Sequence, residues 1–248
     1  MQFKAVIFDI GVCVGSPMRG IHRFEQENGL PRNYINVAIV QQGEHGAFQQ
    51  LERGEIKLHD FYKAFGDQLS HPSNKAHYKA YLEKAGKPVP EHIPDVVVDG
   101  KELFRTMMIE TSIIDQRVFK AIQRLKENKQ LTIAALTNNF ELPEHDLEET
   151  KALGNSVPES LRSQFDYFIE SRLVGLRKPD PKFFSYACDL IGVAPNEAIF
   201  LDDIGMNLRA AKKLGMTTIQ VKLGKSAEAI QQLEALVNMD LQSGAAKL

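Results

Sequence analysis

Cysteine is scarce in this chain: Cys13 stands in an opening loop and Cys188 in a helical pattern. Two thiols so placed make no disulfide framework and fit a reducing compartment, with the cytoplasm as the expectation. Long apolar runs are missing too, none approaching the roughly 20 residues of a membrane-spanning helix. The opening "MQFK" passes straight into a strand pattern, so no signal peptide is expected. Neither sign of charge dominates. Lys and Arg number 30 against 32 Asp and Glu, a formal net charge of -2, which argues against a nucleic-acid or membrane partner held by bulk electrostatics. The sequence shows no internal repeat or low-complexity tract, and nothing in it specifies an oligomeric state. Its last three residues, Ala246-Lys247-Leu248, are one small-residue step from the peroxisomal address S-K-L, and an ordinary frayed terminus would read the same way.

The chain does have enough apolar residues for a substantial core, at 43% of 248. Three short apolar stretches bounded by polar turn residues read as buried parallel strands: "FKAVIFDI" (3–10), "LTIAALTNN" (131–139) and "AIFLDD" (198–203). A fourth, "TTIQV" (217–221), follows a glycine that closes a helix. Helical patterns at 114–129, 181–192 and 206–215 alternate with the strands, the last two closing at Gly192 and Gly215. Alternation of this kind predicts an α/β fold with a mostly parallel sheet. Residues 16 to 113 differ, consisting of amphipathic helical pieces punctuated by Gly, Pro and Ser. They read as a helical domain inserted after the first strand, leaving 1–15 and 114–248 as the α/β core. Within the insert, Tyr62, Phe65, Tyr78 and Tyr81 are expected in its core, Gly54 at a helix end, and Glu52, Arg53 and Glu55 in structural roles. The polar, breaker-rich stretch 140–160 reads as a long loop with room for a helical turn.

Each predicted strand ends in polar residues: Asp9 after the first, Thr137, Asn138 and Asn139 after the second, Asp202 and Asp203 after the third. Open parallel sheets bind ligands outside the carboxyl ends of their strands. If these strands are neighbours, three carboxylates and a hydroxyl meet at one edge. Three acids so close repel unless a divalent cation neutralises them, and an all-oxygen site suits Mg2+. Lys178, in "GLRKPDP" (175–181), is a cation able to pair with those acids or with a phosphate. Each residue also has a plainer role: a strand-end cap, a helix cap, a turn former or a solvated lysine. The combination is what points to a site.

Taken together, "VIFDIG", "ALTNN", "LRKPD" and "FLDDIGMN" resemble, in order and spacing, the four motifs of the haloacid dehalogenase-like hydrolase superfamily. The likeness covers nearly the whole chain. It is strongest to the phosphatase branch with a helical cap after the first motif, which includes sugar-phosphate phosphatases and the N-terminal phosphatase domain of bifunctional epoxide hydrolases. The resemblance implies a Rossmann-like parallel-sheet core with an inserted α-helical cap that closes over the cleft and selects a small phosphorylated metabolite. It makes Asp9 the nucleophile that forms an aspartyl-phosphate. Mg2+ is then held by the Asp9 carboxylate, the Gly11 carbonyl and Asp203, with Asp202 acting through water. Thr137 and the Asn138 backbone bind phosphoryl oxygens, Lys178 offsets transition-state charge, and Asn207 orients the loop after the acidic pair.

The chain departs from that pattern in two ways. The phosphatases carry D-x-D, whose second Asp acts as general acid and base, and here that position is Gly11. Losing such a group costs about 10²–10⁴-fold on poor leaving groups. A good leaving group would need little acid, and Glu44 or His45 of the insert could supply a proton, although His45 also reads as an ordinary loop histidine. Secondly, "DIGVCV" has one glycine where D-x-G-G-V is usual, so either Val12 replaces a glycine that would relax the backbone or the loop is one residue shorter. Two rivals follow: a 2-haloacid dehalogenase using Asp9 without metal, and a catalytically silent binding module. Epoxide hydrolysis is set aside, because the G-x-S-x-G nucleophile pattern is missing.

Overall fold

The computed structural model describes residues 3–143, 145–154, 157–222 and 224–242, so Ala246-Lys247-Leu248 lies outside the described residues. The chain forms two compact units. The first comprises Met1–Gly15, Ile113–Asn139 and Val157–Leu248; the second comprises Ser16–Ser112 and Phe140–Ser156.

The first unit is built on a five-stranded sheet with strands β1 (Ala5–Phe8), β2 (Thr132–Thr137), β3 (Tyr167–Glu170), β4 (Ala198–Asp202) and β5 (Thr217–Gln220). They run in the order β3-β2-β1-β4-β5, and every pairing is parallel. Both faces are covered, which is why the central strands read as unbroken apolar runs. Alternate residues divide between the two faces. Val6, Phe8, Ile133, Ala135, Ile199 and Leu201 pack against Val118, Ile122 and Leu125 of helix Gln116–Glu127 and Ile230 and Leu233 of helix Ser226–Val237. On the other face, Ile7, Ala134, Leu136 and Phe200 meet Phe183, Phe184 and Ala187 of helix Pro181–Ile191 and Ala211 of helix Gly205–Lys213. Local chemistry starts these helices: Asp115 accepts from the Arg117 and Val118 amides, and Asp180 caps a helix that opens on Pro181.

The sequence reading did not include β3, helix Ser226–Val237 or the short helices Glu159–Arg162 and Ser171–Val174 of this unit. β3 is a four-residue edge strand whose first half is only partly buried, so its apolar signal is weak.

The second unit is helical, with helices Met18–Glu27, Tyr34–Gln41, Ala47–Glu52, Leu58–Ser70, Ser73–Lys84 and Gly100–Ile109. Its centre is aromatic. The rings of Phe61 and Phe65 stack at 4.8 Å, and Phe104 meets Phe61 edge-on at 4.8 Å. Tyr62, Phe65 and Tyr78 are buried and Tyr81 packs against the same core. Helices Leu58–Ser70 and Gly100–Ile109 approach so closely that a Cβ on Gly100 would lie 2.1 Å from the Tyr62 carbonyl oxygen. Glycine is required there by space. Helix Tyr34–Gln41, rich in β-branched residues, was not expected; burial of Ile35, Val37 and Ile39 holds it against local preference.

The described residues of the stretch 140–160 include more helix than one turn. Helix Leu147–Ala152 forms behind Asp146, which accepts from the Glu149 amide, and Phe140, Leu142 and Leu153 join the helical unit's core. Among the described residues, no helix is long and apolar enough to cross a membrane.

Candidate active site

The strand order reverses at β1, which lies between β2 and β4, and a crevice at the carboxyl ends is where such a sheet takes ligands. Asp9 is the residue after β1, and its amide donates to the Leu201 carbonyl at 2.8 Å, continuing the ladder one step. That step sets it beside Asp202, the last residue of β4. Oxygens of Asp9, Asp202 and Asp203 lie within 4.8 Å of one another.

Lys178 ties the acids together. Its Nζ donates to Asp9 Oδ1 at 2.6 Å and to Asp202 Oδ2 at 2.9 Å, with the lysine side chain only 1% exposed. The loop that carries it is clamped in turn. Asn138 Nδ2 donates to the Lys178 carbonyl at 3.0 Å, and the Lys178 amide donates to Asn138 Oδ1 at 2.8 Å. Asp202 is saturated: Oδ1 accepts from the Ile204 amide at 2.7 Å and Oδ2 from Asn207 Nδ2 at 3.0 Å as well as from Lys178. Thr137 is buried at the end of β2, one residue before Asn138. Of the residues singled out by sequence, Asp9, Lys178, Asp202, Asp203, Asn138 and Asn207 therefore meet in one cluster. Glu44 is engaged elsewhere, accepting from Arg53 Nη1 at 2.8 Å, and His45 is exposed in a turn of the helical unit.

The turn after Asp9 resolves the concern over Val12. Ile10–Val12 is a single 3-10 turn, and among the described residues the non-glycine positions with positive φ are Asn33 and Asn238. Val12 is buried in the core of the α/β unit and needs no glycine-like backbone. Gly11 is different, since a Cβ there would stand 2.5 Å from Asp9 Oδ2.

The electrostatics are those of an unneutralised acidic cluster. Burial pushes the Asp9 carboxyl up, Lys178 pulls it down, and the charge of Asp202 adds to the rise. Asp203 is pushed up to about 7, by burial first and then by Asp9 and Asp202. Burial alone would lower the Lys178 ammonium, but Asp202 and Asp9 outweigh it and hold it above its ordinary value. Three carboxylates, with one lysine bonded to two of them, form an oxygen donor set with excess negative charge, and a carboxyl pushed up in this way gains from a divalent cation. The residues present fit Mg2+.

A supporting layer escaped the sequence reading. Glu170, at the end of β3, is 4% exposed and accepts from Asn139 Nδ2 at 2.6 Å and from Arg162 and Arg172, each at 3.0 Å. Ser171 Oγ accepts from the Asn139 amide at 3.0 Å. These bonds anchor the residue that follows the Asn138 clamp. The Glu170-Ser171 pair carries no local signal of this, because its partners are assembled by the β2–β3 register that sets Thr137 opposite Glu170.

Over residues 3–215 the chain matches the family described as haloacid dehalogenase-like hydrolase. It is 32% identical over 244 residues to acyl-CoA dehydrogenase family member 10 of Mus musculus, a match covering 98% of this chain and 20% of that protein. It is 30% identical over 236 residues to bifunctional epoxide hydrolase 2 of Rattus norvegicus, covering 94% and 39%. The chain thus spans well under half the length of either relative. To sesquiterpene phosphatase astK of Aspergillus oryzae it is 25% identical over 239 residues, covering 95% of this chain and 97% of that one. A HAD-like family hydrolase structure from Porphyromonas gingivalis shares the fold, with a TM-score of 0.61 at 19% identity over 97% of this chain and 100% of that one. With the match spanning both the Asp9 turn and the Asp202-Asp203 pair, the chain belongs to the haloacid dehalogenase-like hydrolase family.

Proposed function

We propose that this hydrolase is a Mg2+-dependent phosphatase that releases phosphate from a small phosphorylated metabolite through an aspartyl-phosphate on Asp9. The observation that carries the reading is the cluster itself: three carboxylates with oxygens within 4.8 Å, two of them, Asp9 and Asp202, bonded to one buried lysine. A phosphatase relative that matches over 95% of the chain agrees with it.

In this reading Asp9, Asp203 and the Gly11 carbonyl hold the cation, with Asp202 behind them. When bound, Mg2+ supplies positive charge that offsets the acidic trio and the phosphoryl oxygens. Asp9 attacks phosphorus and becomes the acyl phosphate, which water then hydrolyses. Lys178 balances charge that builds on the transferring group, and its two carboxylate bonds hold it in place beforehand. Thr137 and the Asn138 backbone bind phosphoryl oxygens. Asn138 has a second duty through its side chain, which fixes the Lys178 backbone. Asn207 orients Asp202. Phosphoryl transfer depends mainly on such positioning and charge.

The test is hydrolysis of p-nitrophenyl phosphate with Mg2+ and with chelator, beside Asp9→Asn. Mg2+-dependent turnover that disappears in Asp9→Asn is expected. Mg2+ should also raise the melting temperature, by the equivalent of about 2.7 kcal/mol at a hundredfold excess over its Kd, and Asp203→Asn should lose most of that shift. Turnover of 2-haloacids in chelator, with none of the phosphate ester, would replace this reading with dehalogenation. A Mg2+ thermal shift with no turnover of either would leave a binding module.

A further inference from the structure

The proton supply around Asp9 bears on which phosphoryl compounds the site can use, an inference that rests on the phosphatase reading above. When a P–O bond breaks, the electron pair leaves with the oxygen, and an alcohol departs readily only if an acid protonates it. In the α/β unit, the side chains around Asp9 are each committed to another role.

Gly11 has no side chain, and the space a side chain would enter is already taken. A Cβ at position 11 would lie 2.5 Å from Asp9 Oδ2 and 4.0 Å from Asp203 Oδ1. Asp202 is an acceptor at both oxygens, bonded by the Ile204 amide, Asn207 and Lys178. Asp203 belongs to the trio assigned to the cation. Lys178 directs its protons to Asp9 and Asp202. Cys13 is fully buried, with its thiol donating to the Asp9 backbone carbonyl at 3.5 Å. Histidine, the usual neutral-pH donor, is missing from this unit altogether: all 7 histidines of the chain fall within Ser16–Ser112 or Phe140–Ser156.

We propose that the substrate carries its phosphoryl group on a weakly basic leaving oxygen, as in an acyl phosphate, and not on the oxygen of a simple alcohol. In the first step Asp9 Oδ forms a bond to phosphorus, and the bond from phosphorus to the leaving oxygen breaks. The electron pair stays on that oxygen, which departs as an anion and takes no proton. In the second step water adds to phosphorus and the Asp9 Oδ–P bond breaks. The Asp9 carboxylate is restored, orthophosphate is released, and the surplus proton of the water passes to solvent. No redox partner or cosubstrate is involved.

The experiment measures kcat/KM with Mg2+ for acetyl phosphate, p-nitrophenyl phosphate, phenyl phosphate and benzyl phosphate. The last two are near in size and differ in the basicity of the leaving oxygen. The expected result is that acetyl and p-nitrophenyl phosphate exceed benzyl phosphate by about 10²-fold or more, the scale of uncompensated acid catalysis. A smaller ratio means that an acid reaches the leaving group, and overturns this inference while the phosphatase reading stands. No turnover of any of the four overturns the phosphatase reading, and this inference with it. Gly11→Ala adds bulk against Asp9 without adding a proton donor, so it should lower kcat/KM on p-nitrophenyl and benzyl phosphate by the same factor. A Gly11→Ala protein with unchanged kcat/KM overturns the assignment of that space to Asp9.

Discussion

One buried carboxylate of the helical unit and the three gathered in the α/β unit have opposite charge balance. In the helical unit Glu149 is 2% exposed and is met by more than it needs. It accepts from Tyr62 Oη at 2.6 Å and from Arg105 through both Nε, at 3.0 Å, and Nη2, while Lys101 Nζ lies 3.1 Å away. The Arg105 hydrogen bond, working against burial and joined by Tyr62 and Lys101, holds its carboxyl down at about 2. In the α/β unit, Lys178 pairs with Asp9 and Asp202 but not with Asp203, whose carboxyl rises to about 7. A saturated buried charge fastens structure, whereas a buried cluster left short of positive charge is prepared for something that arrives later. Glu170, in the α/β unit, sits with the first kind, because three side chains satisfy it, and it reaches the chemistry of that unit's acidic cluster only through Asn139.

The largest effect expected from this contrast is at Lys178. Lys178→Met removes the cation and leaves the acids facing one another, so stability should fall by about 3–5 kcal/mol. Turnover per folded molecule should fall about 10²–10³-fold, by analogy with the loss of a single group that stabilises transition-state charge. Urea unfolding and p-nitrophenyl phosphate turnover measure the two losses separately. A variant that keeps its activity would end the comparison, because the cluster would then not depend on its lysine.

Glu149→Ala comes next. It strands Arg105 and Tyr62, for an expected loss of about 3 kcal/mol, while turnover per folded molecule stays within about twofold of wild type. The acid side sharpens the same point. A carboxyl lowered from its ordinary 4.5 to about 2 contributes stability that is complete above 4.5 and lost as the pH falls toward 2. Between pH 6 and pH 3 wild type should therefore lose more unfolding free energy than Glu149→Gln. Equal losses would mean that Glu149 is not the saturated charge described here.

The smallest effect is expected at Glu170. Glu170→Gln keeps an acceptor for Asn139 and gives up the charge that Arg162 and Arg172 face, costing about 1 kcal/mol. Because Asn139 adjoins the Asn138 clamp on Lys178, kcat should drop a few-fold with KM little changed. A drop in melting temperature with unaltered kinetics would make Glu170 purely structural.

Much of this was legible from local pattern, and the residues show why. β1, β2 and β4 were found because strands buried on both faces read as apolar runs, as "AVIF" does throughout and "AIFLD" does up to its closing Asp202. Asp9, Thr137 and Asp202 stood out because polar residues ending such runs are few. β3 was missed because an edge strand needs no such run. Helix Tyr34–Gln41 was missed because its β-branched residues favour a strand until the helical unit's core buries them.

The sequence by itself determined the buried strands β1, β2 and β4, the acids and amides at their ends, and the absence of a side chain at position 11. These are properties of short segments, carried by residue type and spacing. Only the tertiary structure decided what those residues meet. The β1–β4 register put Asp9 beside Asp202 across 193 positions of chain, and folding brought Lys178 to Asp9 from 169 residues away. Glu149 acquired Arg105 and Tyr62 from 44 and 87 residues away. Charge balance is a sum over neighbours in space, so the difference between a fastening carboxylate and a working one is written only when the chain has folded.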